Sequence, residues 1–229
     1  MKAKEKKSKS SVSTKEKILD AALKLFNEKG DAGVTTAQLA EFLGISEGNL
    51  WYHFRTKREI VSELNLQLEK EVDKNLSRLP DEKFDLNDFM GYSARAFEYL
   101  WEYRFLFRDY FDRSKDEDAL IRLQKLTLRG QRNVELILED MRRRELLFIS
   151  KDGARALAVN AWIVHSNWLR FLQVRGNLQE ITESQIKEGF TQLIWLFNPY
   201  LSDAGKREAS AFIDEFSLRR SGGEISRKN

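Results

Sequence analysis

The sequence predicts an all-α fold in two parts: a small three-helix unit near the N-terminus and a larger helical unit after it. Three observations carry this. The 229 residues include two prolines and many Leu, Glu, Lys and Arg, which lose little side-chain freedom in a helix. Apolar residues recur every three or four positions over long stretches, the period of a helix with one buried face. Helix start signals recur as well: Thr35 with Gln38, Thr56 with Glu59 and Thr182 with Gln185 each have capping-box spacing. At 41% hydrophobic and 33% charged, the chain can bury a sizeable core beneath a heavily charged surface.

Residues 1–13, MKAKEKKSKSSVS, are rich in Lys and Ser and have almost nothing to bury, so they are expected to be a disordered basic arm. The first 17 residues hold seven Lys against two Glu. Such an arm can lie on phosphates or in a minor groove, or serve as a solubilising tail. A first helix is expected from Thr14, as its cap, to about Lys29, with Gly30 as its stop. Ile18, Leu19, Ala22, Leu23 and Phe26 form its apolar stripe.

The stretch 34–57, VTTAQLAEFLGISEGNLWYHFRTK, reads as two short helices joined by a tight turn. Thr35 caps the first, Leu39, Ala40 and Leu43 mark its apolar face, and Gly44 supplies the bend, since a residue without Cβ takes the left-handed conformation freely. Ser46 caps the second, whose Leu50 and Phe54 point inward together. In a helix-turn-helix of this spacing the first helix braces the second, and the N-terminal residues of the second enter a DNA major groove. Glu47, Gly48 and Asn49 would then face base edges, because Asn can pair with adenine and Gly permits close backbone approach. Trp51 and Tyr52 follow at the outer edge, within reach of thymine methyls, sugars and phosphates, or else pack against the first helix. Thr35, Thr36, Ser46, His53 and Lys57 complete the candidate DNA-binding set, with Thr35, Thr36, His53 and Lys57 suited to phosphate.

From about Thr14 to Leu64 the chain resembles the DNA-binding domain of the TetR family of transcriptional repressors. The resemblance rests on Gly30, the pair Thr35 and Thr36, Leu39 and Ala40, the Gly44-Ile45-Ser46 turn, Trp51 and Tyr52, His53 and Phe54, and Lys57. It implies phosphate and base contacts at the matching positions. Two departures bear on the base sequence read: Trp51 stands where a Tyr is commoner, and Glu47 places a negative charge where the family often has a basic residue. Glu47 either accepts from a cytosine amino group or turns aside.

The resemblance implies a domain order: helix-turn-helix domain 14–56, helical effector-binding and dimerisation domain 57–200, and tail 201–229. A connector helix is expected over 57–79, with Ile60, Leu64 and Leu68 on one face and Pro80 closing it. After a turn at 80–82, residues 86–111 are expected to form one helix, aromatic on nearly every side and therefore central to the second domain. Further helices are expected near 116–129, 131–148, 153–175 and 182–198, Pro199 ending the last. A short amphipathic helix with Ala211, Phe212 and Phe216 precedes a polar end. The Arg142–Arg144 triplet reads as a favourable, solvated helix C-terminus.

A pocket for an apolar or aromatic small molecule is expected in the second domain, with Tyr92, Trp101, Phe105, Tyr110, Trp162, His165 and Trp168 as candidate lining residues. The alternative for His165 is a histidine satisfied within an aromatic core. The last two long helices of TetR-like proteins pair between subunits. The apolar excess of Phe190, Leu193, Ile194, Trp195 and Phe197 marks the candidate dimer face, and a two-fold dimer suits a palindromic operator.

With no cysteine, the chain makes no disulfide, thiolate metal site or Cys nucleophile, which fits a reducing compartment. His53 and His165 lie far apart with no His-carboxylate cluster, and acidic pairs such as Glu98 with Glu102 and Asp112 with Asp116 read as helix surface. Neither a metal site nor a cofactor is expected, and enzymatic chemistry is not indicated. No apolar run approaches the ~18 residues of a membrane span. The expected protein is a cytoplasmic homodimeric repressor, partnered by operator DNA and a small-molecule effector. The alternative is a DNA-binding regulator whose second domain serves dimerisation or protein interaction alone.

Overall fold

The computed structural model describes residues 13–77, 85–108, 117–176 and 181–218, and these residues are almost entirely helical. Residues 1–12 of the expected arm at 1–13, the Pro80 turn, Tyr110, the Asp112 and Asp116 pair and the end from 219 lie outside them, whereas Ser13 is described. The described chain divides into two compact units, residues 1–68 and 69–229.

The first unit holds α1 (Thr14–Lys29), α2 (Thr36–Leu43), α3 (Glu47–His53) and the start of α4 (Lys57–Leu76). Its termini follow from short-range chemistry. Ser13, not Thr14, caps α1: its hydroxyl accepts from the Glu16 N–H and its own N–H donates to the Glu16 carboxylate. Glu16 lies three residues after Ser13 and can close this reciprocal box, which Thr14 cannot do with Lys17. Gly30 ends α1 at φ 73. Ile18, Ala22 and Phe26 are fully enclosed, and α1 packs on α2, as α2 does on α3. The division between units falls inside α4, beyond the expected boundary at 56/57. The early turns of α4 are tied to the first unit by the Lys15–Glu63 pair and by Lys57.

The second unit holds α5 (Leu86–Glu102), α6 (Arg104–Arg108), α7 (Glu117–Arg143), α8 (Lys151–Arg175), α9 (Glu183–Phe197), a 3-10 turn (Asn198–Tyr200) and α10 (Asp203–Leu218). Its core is a continuous cluster in which Phe97, Ile137, Leu138, Phe190 and Phe197 are almost completely enclosed. Three expectations need correction. The helix expected over 86–111 breaks at Tyr103, where φ is −117 and ψ is 29. The Arg104 guanidinium donates to the carbonyl of Trp101 and lies 3.9 Å from the centre of its ring, satisfying a carbonyl at the broken end. The aromatic residues of 86–108 are thus divided between two helices. Second, no break falls between 129 and 131. Gly130 stays within α7, and the Trp162 ring of α8 occupies the space that a side chain there would need. Third, residues 203–218 are not a tail: Phe216 of α10 packs 4.6 Å, centroid to centroid, from Phe190 and completes the core.

Candidate nucleic-acid interface and ligand cavity

The helix-turn-helix is fixed by its caps. The Thr35 hydroxyl accepts from the Gln38 N–H at 3.2 Å, and the Gln38 amide oxygen accepts from the Thr35 N–H at 2.9 Å. Gly44 takes the left-handed conformation (φ 66) and closes α2 onto the Ala40 and Glu41 carbonyls. The Ser46 hydroxyl accepts from the Asn49 N–H at 3.2 Å and starts α3. Leu50 and Phe54 are buried, which turns the other side of α3 outward. Gly48 and Asn49 are exposed there; so are Trp51, at 51%, and Tyr52, at 85%. The Tyr52 ring stands edge-on to His53 with centroids 5.2 Å apart. Large aromatic rings are not left in water by packing forces, so this surface is suited to a partner.

The Thr36 hydroxyl and Lys57 are committed differently from expectation, and Glu47 takes the second of its two expected courses. Glu47 turns aside: its carboxylate accepts from the Thr36 hydroxyl at 3.1 Å and joins the first turns of α2 and α3. That bond uses the Thr36 hydroxyl proton, so the hydroxyl is not available as the expected phosphate donor. Lys57 was expected to reach phosphate, but its ammonium donates to the carbonyls of Asp31 at 2.6 Å and Val34 at 3.0 Å. It satisfies loop carbonyls between α1 and α2 and so positions the N-terminus of α2. The Thr56 and Glu59 box is half formed: Thr56 accepts from the Glu59 N–H, while the Glu59 carboxylate accepts from the N–H of Arg55. Arg55 and Arg58 are exposed on either side of Lys57 and were not singled out. The signal for them was the basic run Arg55-Thr56-Lys57-Arg58.

In the second unit a cavity of about 90 Å3 lies among α4, α5, α7, α8 and α9. Tyr92, Trp162 and His165 line it, together with Val72 and Asn75 of α4 and Tyr99 of α5. The His165 ring packs edge-on to Phe97, with Nε2 3.1 Å from the Ala96 carbonyl oxygen. Burial pushes its pKa below the ordinary imidazole value, against the opposing pull of that carbonyl. Burial likewise pushes the Tyr92 hydroxyl up to about 12, although a hydrogen bond with Asn133 acts the other way. Three other candidates face elsewhere. Trp101 stacks under Arg104, Phe105 is packed in the interior, and the Trp168 indole donates to the Gln185 carbonyl at 2.8 Å beside Gly189. Tyr110 lies outside the described residues. Val72 and Asn75 were missed because their helix read as a connector, and one helix's periodicity does not reveal what packs against it.

The residues of the expected dimer face lie mostly inside the second unit. Phe190, Leu193, Ile194 and Phe197 face the unit's own core, and of the five Trp195 alone is exposed, at 57%. The apolar excess of α9 is used by its contacts with α5, α8 and α10. Val159, Ile163, Phe171 and Val174 of α8 are exposed, as are Ile121 and Leu128 of α7 and Phe148.

Comparison with known proteins follows the same division. The family profile described as "Bacterial regulatory proteins, tetR family" matches residues 18–64, and that described as "Bacterial transcriptional repressor" matches residues 67–209. A solved TetR-family transcriptional regulator from Marinobacter aquaeolei VT8 is 31% identical, with a TM-score of 0.74 over 90% of this chain and 99% of that one. SmeT, a repressor of the Stenotrophomonas maltophilia multidrug efflux pump SmeDEF, shares the fold at a TM-score of 0.55 and 20% identity, covering 84% of this chain and 93% of its own. Among curated proteins, the class D tetracycline repressor of Escherichia coli is 41% identical over 54 residues, 24% of this chain. The match spans 25% of that relative's length.

Proposed function

The chain belongs to the TetR family of DNA-binding transcriptional regulators, and we propose that it works as a homodimeric repressor released from a palindromic operator by a small apolar or aromatic ligand. The observation that carries the DNA half is the outward face of α3: a Ser46-capped helix whose Gly48, Asn49, Trp51 and Tyr52 are exposed while Leu50 anchors it from behind. Ser46, Gly48 and Asn49 meet base edges or the adjacent phosphates. Trp51, Tyr52 and His53 contact sugars, methyls and phosphates, Thr35 and Thr36 present the N-terminus of α2 to phosphate, and Arg55 and Arg58 add charge. Lys57 acts by holding the loop before α2, and Glu47 by locking α2 to α3.

Dimerisation is assigned to α8 and the exposed side of α9. At ~100° per residue, Val159, Ile163, Phe171 and Val174 fall within an arc of about 120°, an unmatched apolar stripe, and Trp195 is the exposed aromatic of α9. A two-fold pair of cytoplasmic subunits would set two α3 helices on successive major grooves. Ligand in the cavity would favour the arrangement with the wrong spacing, by no more than its differential affinity for the two arrangements. The small cavity favours one other reading, in which the second unit serves dimerisation or protein interaction alone.

Fluorescence anisotropy with the duplex upstream of the protein's own gene, against a scrambled duplex over a salt series, tests the first half. A preference for the upstream duplex that persists at moderate salt is expected. Equal binding that fades steeply with salt would reduce the interface to phosphate attraction. Ligand-dependent thermal stabilisation separates the two readings of the second unit, because a real site stabilises more as ligand concentration rises.

A further inference from the structure

Resting on the reading of the cavity as an effector site, we infer that it takes an uncharged, single-ring aromatic molecule bearing a hydroxyl, phenol-like in chemistry, whose hydroxyl donates to Nδ1 of His165. Three features of the wall lead there. The first is charge. Among the described residues no Asp, Glu, Lys or Arg lines the cavity, so an ionised ligand would lose its hydration and gain no counter-charge there.

The second is size. Pockets for drug-sized ligands run from roughly 300 to 1,000 Å3, and an apolar cavity of about 150 Å3 holds benzene. This one is about 90 Å3, so a single ring enters with small side-chain adjustments, whereas a fused polycycle requires the helices to separate. The rings of Phe89, Tyr92, Trp162 and Phe197 supply the edges and faces that a ligand ring packs against.

The third is the hydrogen-bonding state of the wall. A carbonyl oxygen accepts and never donates, so the 3.1 Å contact with Ala96 places the proton of the His165 ring on Nε2. Burial keeps the ring neutral. Nδ1 is then the ring's acceptor; no hydrogen bond reaches it among the described residues, and since no buried side-chain nitrogen there lacks a partner, it is open to accessible space. Two other polar wall groups are already donating, Tyr99 Oη to the Glu71 carbonyl at 2.9 Å and Asn75 Nδ2 to the Tyr92 carbonyl at 3.2 Å. The Ser93 hydroxyl, which can turn to donate or accept, borders the same space. A ligand hydroxyl suits this wall because it brings the donor that Nδ1 lacks.

The full-length protein is tested by calorimetric titration and thermal unfolding with phenol, toluene, benzoate, protonated benzylamine and tetracycline. Phenol is expected to bind about five- to tenfold more tightly than toluene, the worth of one neutral hydrogen bond. Benzoate and benzylamine should give no stabilisation. In His165→Leu, phenol should lose its advantage while toluene still binds; if that variant does not fold, the wild-type probe series decides. Tetracycline binding without phenol binding overturns the inference and leaves the effector reading intact. Equal affinity for phenol and toluene in the wild type, or tight binding of either charged ring, also overturns it, as does an absence of any binding. Phenol binding that leaves operator affinity unchanged upholds the site and refutes ligand-controlled release.

Discussion

The reading head and the cavity are built from the same residue types and use them in opposite ways. On α3, Trp51, Tyr52 and His53 follow one another along a helix seven residues long, and the tyrosine is 85% exposed. Around the cavity, Tyr92, Trp162 and His165 come from two helices distant in sequence, and the tyrosine is 6% exposed. The first set owes its position to caps within three residues of the helix. The second owes its position to α5, α8 and α9 meeting in one core. An aromatic residue thus carries little meaning alone: a surface for a partner arises where local chemistry orients it outward, and a cavity arises where distant segments enclose it.

The contrast can be broken most severely from the core side. Phe190→Ala removes a fully enclosed ring that meets Phe97, Phe212 and Phe216, and should cost about 3–5 kcal/mol in denaturant unfolding. A loss below about 1 kcal/mol would mean that α10 does not complete the core. Leu50→Ala strikes the head in the same way, from behind α3. It should cost about 2–4 kcal/mol and also abolish operator binding, since the recognition face loses its anchor.

Tyr52→Ala sharpens the contrast from the exposed side. Stability should stay within about 0.5 kcal/mol of wild type, because the ring packs on little. Operator affinity should drop about tenfold in anisotropy, and unchanged affinity would remove Tyr52 from the interface. Thr35→Ala deletes a cap and should lower stability by about 1 kcal/mol, with a parallel weakening of DNA binding as the first turn of α2 frays.

The smallest expected effect is a pH dependence. Because burial depresses the folded-state pKa of His165, the unfolded chain takes up a proton before the folded chain does. The stability involved is whole above the ordinary imidazole value of about 6.5 and is lost as pH falls from there toward the lower folded value. Thermal unfolding between pH 7.5 and 5 should therefore slope more steeply in wild type than in His165→Gln. Parallel curves would show that the ring is not shielded from water.

Where sequence and structure part company is equally local. Ser46 and Gly44 could be placed from neighbours three or four residues away, because a cap or a left-handed turn is satisfied within that span. Lys57 could not, because its partners are the carbonyls of Asp31 and Val34 on another segment. Phe190 read as interface and lies in the core, since hydrophobicity alone does not say which neighbour covers a helix face.

The sequence by itself determined the helical class, the Thr35 and Ser46 caps and the Gly44 turn of the reading head, and the family resemblance of the first unit. Tertiary structure alone decided that α7 runs through Gly130, that α9 faces inward, that Glu47 binds Thr36, and that Val72 and Asn75 of α4 border the cavity beside His165. The reason is the range of the forces. Backbone caps and turns are settled by hydrogen bonds between near neighbours, whereas the rotation of each helix about its axis is settled by the packing of residues a hundred positions apart.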